Sequence, residues 1–256
     1  MKKLIILFVA VLALSASFAQ AQEDKMLFNH MSAGISLGVD GLGAELAFPA
    51  SQFLVVRGGY SFMPYSYKKN VSLSDLHVGG SIKNLSNVPV TAKPWKGGEG
   101  NIMLDIYLSP TGIFHFVAGA FVGSGKLIGG KVDLRDKISP EDYKTGITYN
   151  GVSCSTDADG FAYVDALVNK VLPYVGVGIG RAVNPDKRVT FNFELGAAYS
   201  GGMKVVTYDY SNPSKVTRSE VTSSALNQKD NGVVDKLARY SVVLPMLKFQ
   251  VYVNLF

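Results

Sequence analysis

Apolar and polar residues alternate with period two in eight stretches of this chain, most of them near the roughly 9–11 residues that a tilted strand needs to cross a bilayer. In residues 31–39, Ala33, Ile35, Leu37 and Val39 lie opposite Gly34, Ser36 and Gly38, and Asp40-Gly41 is a hairpin signal. Residues 42–48 set Leu42, Ala44, Leu46 and Phe48 against Gly43, Glu45 and Ala47, and residues 53–63 set Leu54, Val56, Tyr60 and Phe62 against Arg57 and Ser61. The alternation resumes at 101–108, with Ile102, Leu104, Ile106 and Leu108 opposite Met103, Asp105 and Tyr107, and at 114–123, with Phe114, Phe116, Ala118 and Val122 opposite His115 and Gly119. It returns at 175–180 and 189–200, where Val189, Phe191, Phe193 and Leu195 oppose Thr190, Asn192 and Glu194. In the last run Leu247, Phe249, Val251, Val253 and Leu255 oppose Lys248, Gln250, Tyr252 and Asn254.

The connections sort by length. Pro49-Ala50-Ser51-Gln52, Ser109-Pro110-Thr111-Gly112 and Asn184-Pro185-Asp186-Lys187 are short turns at one end of the array. The stretches 64–100, 125–172 and 202–240 all fall at the other end. An even number of strands with short turns on one side and long loops on the other predicts an all-β, closed antiparallel eight-stranded transmembrane β-barrel with three long extracellular loops. A secreted soluble barrel or sandwich is the alternative. The faces favour the first, because Glu45, Arg57, Asp105, Glu194 and Lys248 share the glycine-rich face opposite the apolar one. Charges of both signs suit a narrow polar lumen as a pairing network and are costly in an apolar core. Eight strands leave an interior that side chains fill, so the expected lumen is plugged.

The N-terminus is a targeting segment. Lys2-Lys3 precede the apolar run from Leu4 to Leu14, and Ala19-Gln20-Ala21 is a cleavage pattern, so residues 1–21 read as a signal peptide and 22–256 as the barrel, with Gln22 first. Cleavage removes two lysines and no acid, lowering the formal net charge from +5 to +3, a surplus too small and scattered to indicate nucleic acid. Hydrophobic residues are 47% and charged residues 18%, which excludes disorder. The single cysteine, Cys154, excludes an intrachain disulfide.

Few residues suggest chemistry. Gly176-Val177-Gly178-Ile179-Gly180 keeps strand period and lacks a following helix, so it reads as small residues facing a crowded lumen rather than a nucleotide loop. Asp157-Ala158-Asp159-Gly160 resembles a calcium loop, but Ser155 and Ala166 stand where the first and the bidentate ligands belong. A turn into an amphipathic helix over 160–172 is expected instead, with Phe161, Val164, Leu167, Val168 and Val171 on one side and Pro173 ending it. Ser139-Pro140-Glu141-Asp142 reads as another helix start. His30, His77 and His115 show no metal spacing; His77, beside Ser74 and Asp75, is the one outer-side candidate for catalysis, and Cys154 has no activating neighbour. No cofactor, metal or catalytic residue is expected. The loops, with Trp95, Tyr143, Tyr149, Tyr208 and Tyr210 expected to be exposed, are the place for function.

The signal, the eight strands and the run Lys248-Phe249-Gln250-Val251-Tyr252-Val253-Asn254-Leu255-Phe256 resemble the small eight-stranded outer-membrane barrels of the OmpX and OmpA transmembrane type. The resemblance is one of pattern over nearly the whole mature chain. It implies location in the bacterial outer membrane and recognition of the terminal residues Phe249, Val251, Val253, Leu255 and Phe256 by the barrel-assembly machinery. Asn254 departs from the aromatic common two residues before the end. The expected partners are outer-membrane lipid, that machinery and an unknown extracellular ligand, and not nucleic acid. The expected role is structural or surface interaction; the rivals are passage of small hydrophobic molecules and a lipid-acting barrel enzyme.

Overall fold

A computed structural model describes residues 30–78, 81–144, 147–149, 152–212, 216–221 and 242–255. The signal segment, Gln22 and Phe256 lie outside the described residues. The strands are β1 (Ser32–Gly38), β2 (Gly41–Pro49), β3 (Leu54–Phe62), β4 (Tyr67–Val78), β5 (Ser81–Pro94), β6 (Glu99–Tyr107), β7 (Phe114–Gly123) and β8 (Lys126–Asp133). Then follow β9 (Ile147–Tyr149), β10 (Val152–Cys154), β11 (Phe161–Leu167), β12 (Val171–Gly180), β13 (Val189–Tyr199), β14 (Lys204–Asp209), β15 (Thr217–Val221) and β16 (Val243–Asn254).

Eight of these close into an antiparallel barrel in the order β1-β16-β13-β12-β7-β6-β3-β2. The barrel strands coincide with the eight alternating runs, although β12 and β16 each begin four residues before the alternation becomes clean. Period two puts Ile35, Ile102, Phe116, Val175, Phe193 and Leu247 on the outside, all of them exposed. Every Asp, Glu, Lys and Arg of the barrel strands, namely Glu45, Arg57, Glu99, Asp105, Glu194 and Lys248, is buried.

The described parts of the three long connections are mostly strands. They form a second eight-stranded sheet in the order β10-β9-β4-β5-β8-β11-β14-β15. Four barrel strands continue into it: β6 is preceded by β5, β7 runs on to β8, β12 is preceded by β11 and β13 runs on to β14. Backbone bonds carry the ladder across the joints, from Trp95 N to Leu127 O, Val168 N to Gly125 O and Asn169 N to Ser200 O. The joints bend where φ turns positive, at Trp95, Gly97 and Gly98 between β5 and β6 and at Gly125 between β7 and β8.

The helix expected over 160–172 is instead β11 and the start of β12, and Pro173 pairs with Ala120 inside β12. Ladders to β8 and β14 on both edges override the local spacing, and a bulge at Ala166/Leu167 imitates the helical offset. Ser139-Pro140 does open a short 3-10 turn, Pro140–Lys144. The outer sheet has a core of its own, where Leu76, Val78, Val88, Ile147 and Ala162 are covered by Leu134 and Ile138.

Candidate functional site

The lumen is built from positions that alternate with the exposed apolar ones. Arg57, on β3, lies at its centre. Its Nη1 donates to Glu45 Oε2 at 3.1 Å, Nε and Nη2 donate to Asp105 Oδ1 at 3.0 and 2.8 Å, and Nη2 also reaches Glu194 Oε2 at 2.6 Å. Lys248, on β16, bridges Glu45 Oε1 at 3.2 Å and Asp40 Oδ2 at 3.0 Å. The five lumen charges named from the sequence therefore sit in one connected network. A buried guanidinium shared by three carboxylates is strongly constraining, because removal of the cation leaves the acids without compensation.

The network also recruits residues that charge patterning does not mark. Tyr252 donates its hydroxyl to Glu45 Oε2 at 2.7 Å, Gln250 Nε2 donates to the same oxygen at 3.2 Å, and Asn192 Nδ2 donates to Gln250 Oε1 at 2.7 Å. All three lie on the lumen side by alternation, but their partners sit on other strands, which alternation does not specify. Asp40, read as a hairpin residue, also accepts from the Ser61 hydroxyl at 2.6 Å.

Apolar clusters lie on either side of this network along the barrel. Toward the outer sheet, Trp95, Met103, Val117, Phe121, Leu172, Tyr174 and Met246 pack together. At the short-turn end Ala182 and Val183, from the turn after β12, are buried against Val55, Tyr107 and Tyr252. Arg181 ties that turn down. Its guanidinium donates to the carbonyls of Pro110, Gly112 and Gln52 and lies 4.2 Å from the centre of the Tyr107 ring. The glycines facing inward are required by crowding: a Cβ at Gly178 would collide with the His115 ring, and at Gly176 with the Tyr174 hydroxyl.

The remaining candidates fall elsewhere. Phe249, Val253 and Leu255 are exposed on the outer wall, and Val251 between them is partly exposed. Asp157 acts as a turn residue: Oδ1 accepts from the amides of Asp159 and Phe161, and Oδ2 accepts from the Tyr163 hydroxyl. No group of three or more His, Cys, Asp or Glu side chains suited to a metal ion occurs among the described residues. His77 is exposed on β4. Cys154 is partly buried against the outer-sheet core, and burial, aided by Asp209, pushes its thiol up to about 11. The aromatic residues expected to be exposed are not: Trp95 is 5% exposed in the upper lumen layer, and Tyr143, Tyr208 and Tyr210 are half-buried. They form the packing of a folded sheet, which a loop would not need. Tyr149 lies outside the residues whose side chains are described.

The sequence matches no protein family and no curated protein. Solved structures to which the chain is similar include the following three. The crystal structure of Acinetobacter baumannii CarO has 18% identity and a TM-score of 0.46, covering 90% of this chain and 99% of that one. That of Acinetobacter baumannii CarO2 has 14% identity and a TM-score of 0.48, covering 90% and 100%. A major outer membrane protein from Thermus thermophilus has 14% identity and a TM-score of 0.39, covering 88% and 98%.

Proposed function

We propose that the mature chain is an integral barrel of the bacterial outer membrane that acts in surface interaction or as a structural element, through its outer sheet and without catalysis. The observation that carries this reading is the polarity of the barrel wall. All charges of the barrel strands are enclosed, and the outward positions form a continuous apolar surface, with Ile35 69%, Ile102 66% and Val175 65% exposed. A soluble barrel has the opposite arrangement, and an apolar surface of this extent in water would drive aggregation. The short-turn end then faces the periplasm and the outer sheet faces the exterior. Strand number, turn lengths and the terminal run support kinship with OmpX- and OmpA-type barrels, with the assembly machinery reading the C-terminal strand.

Three stacked layers argue for a plugged lumen and against the passage of small hydrophobic molecules: the Trp95 cluster, the Arg57 network and the Ala182–Val183 plug. The lipid-enzyme reading rests on His77 alone. Planar-bilayer recording of purified protein tests the proposal. No steady conductance is expected, whereas a stable current altered by Arg57→Ala would make the barrel a pore. Recovery of the protein from the soluble periplasm would overturn the membrane assignment.

A further inference from the structure

The pairing register of the outer sheet assigns its residues to two faces, because residues directly opposite across antiparallel strands share a face. One row on the first face runs Lys68, Thr91, Lys131, Tyr163 across β4, β5, β8 and β11. The neighbouring row runs Lys93, Gly129, Asp165, Val206, Glu220 across β5, β8, β11, β14 and β15. The Lys96 side chain lies over Gly129, where a Cβ would displace it. This face continues the lumen side of the wall, since Trp95, Leu127 and Val168 at its base pack into the upper lumen layer.

Three acids on this face are engaged. Asp165 holds Lys126 at 2.7 Å and accepts from the Tyr208 hydroxyl at 2.7 Å, Asp133 holds Arg135 at 2.7 Å, and Glu220 holds Lys204 at 3.2 Å. Among the described residues no ion pair involves Lys68, Lys93, Lys96 or Lys131. The excess is already visible locally, because residues 64–98 are rich in lysine and hold the single acid Asp75. Lys68 and Lys131 stand two strands apart, about 10 Å, and Lys68 and Lys93 are diagonal neighbours on adjacent strands.

We infer that this face docks an anionic polysaccharide chain. The inference rests on the proposed function for placing the face outside the cell. Charge complementarity requires repeated negative charge, because four ammonium groups spread over two rows fit a chain rather than a single phosphate. Single-stranded nucleic acid fits less well because it needs open rings for base stacking. Phe161 is covered by Lys131 at 3.3 Å and Arg135 at 4.6 Å from its centre, and the Tyr163 ring lies 5.8 Å from that of Tyr210.

The test uses the full mature protein in detergent with heparin as the probe, compared with uncharged dextran and with single-stranded DNA. Heparin binding that weakens with salt is expected, with no binding to dextran. Lys68→Gln/Lys93→Gln/Lys131→Gln should weaken binding at least tenfold and lower the salt slope by about two to three, by loss of counterion release. The double variant Lys187→Gln/Arg188→Gln, at exposed positions of a periplasmic turn, should bind as the parent does. Equal loss in both variants, no loss in the triple variant, or tighter binding of the DNA than of heparin would overturn the inference. The heat-dependent gel shift of a folded barrel is read in parallel. Its absence from the parent protein counts against the membrane reading, whereas a normal shift with no heparin binding counts against the docking face alone.

Discussion

The barrel and the outer sheet share one hydrogen-bonded wall, with β5, β8, β11 and β14 extending β6, β7, β12 and β13, yet they dispose of their two sides in opposite ways. In the barrel the outward side is apolar and exposed, while the inward side holds buried charges, five of them joined through ion pairs. Above the joints the outward side is still apolar, as at Val88, Val132 and Ala162, but Leu134, Ile138 and Tyr143 cover it. The inward side there carries lysines that enter no ion pair among the described residues. Both regions are antiparallel sheet, and their surroundings differ. A continuous apolar wall is stable bare where lipid meets it and needs a protein cover where water does. The positive-φ residues at Trp95, Gly97, Gly98 and Gly125 mark where one regime gives way to the other.

The largest effect is expected at the centre of the lumen. Arg57→Ala leaves Glu45, Asp105 and Glu194 buried without their shared cation and should cost about 3–5 kcal/mol, read as a lowered urea midpoint of the folded barrel band. A loss below about 1 kcal/mol would mean that the acids are compensated otherwise and that the lumen is not locked. Next comes the boundary itself. Phe193→Arg, on the outward face of β13, should cost roughly 2–4 kcal/mol and impair assembly, while Ile128→Arg, outward on β8 beyond the joint, should cost about 0–1 kcal/mol. Equal penalties would place β8 within the hydrocarbon and remove the contrast between the two regions.

That contrast also explains what can be read from the sequence. The barrel strands are legible because an apolar outer face and a polar inner face give each a run of period two; even the inward positions of Arg57 and Glu194 follow from it. The identity of their partners does not follow. Tyr252, Gln250 and Asn192 join the network through contacts between strands remote in sequence, and Ala182–Val183 looks like an ordinary turn until the barrel closes above it. The outer sheet is illegible for another reason. Its strands are irregular, with register shifts between Val71 and Leu73, between Leu73 and Leu76 and at Ala166/Leu167, and its cover supplies apolar contacts from outside the ladder. A register shift moves the following residues to the other face, and the alternation by which a strand is recognised is lost.

A smaller and more local effect is expected within the outer sheet. Val88 is fully buried, and Val88→Ala should remove about 2 kcal/mol from that region. Limited proteolysis should then cut the outer sheet more readily while the heat-dependent shift of the barrel stays in place. Loss of the barrel band would show that the two regions unfold as one unit, although they bury separate apolar clusters.

The smallest effect concerns Cys154, which reports on the cover of the outer sheet without disturbing it. With burial holding its thiol at about 11, only on the order of one molecule in ten thousand carries the thiolate at pH 7. Maleimide labelling should therefore be slow, rising about tenfold for each pH unit until the pH nears 11. A cysteine placed at exposed Lys93 by Lys93→Cys should label far faster at neutral pH. The direction of the shift also sets a stability window. Because the folded thiol holds its proton more tightly than the unfolded one, its contribution is unchanged below pH 9 and declines as pH rises from there toward 11. Cys154→Ser should abolish that part of the alkaline loss. Fast labelling of Cys154 at pH 7, at the rate of the Lys93→Cys thiol, would show that Leu134 and Ile138 do not keep the outer sheet closed, and the two regions of the wall would then differ less than their packing implies.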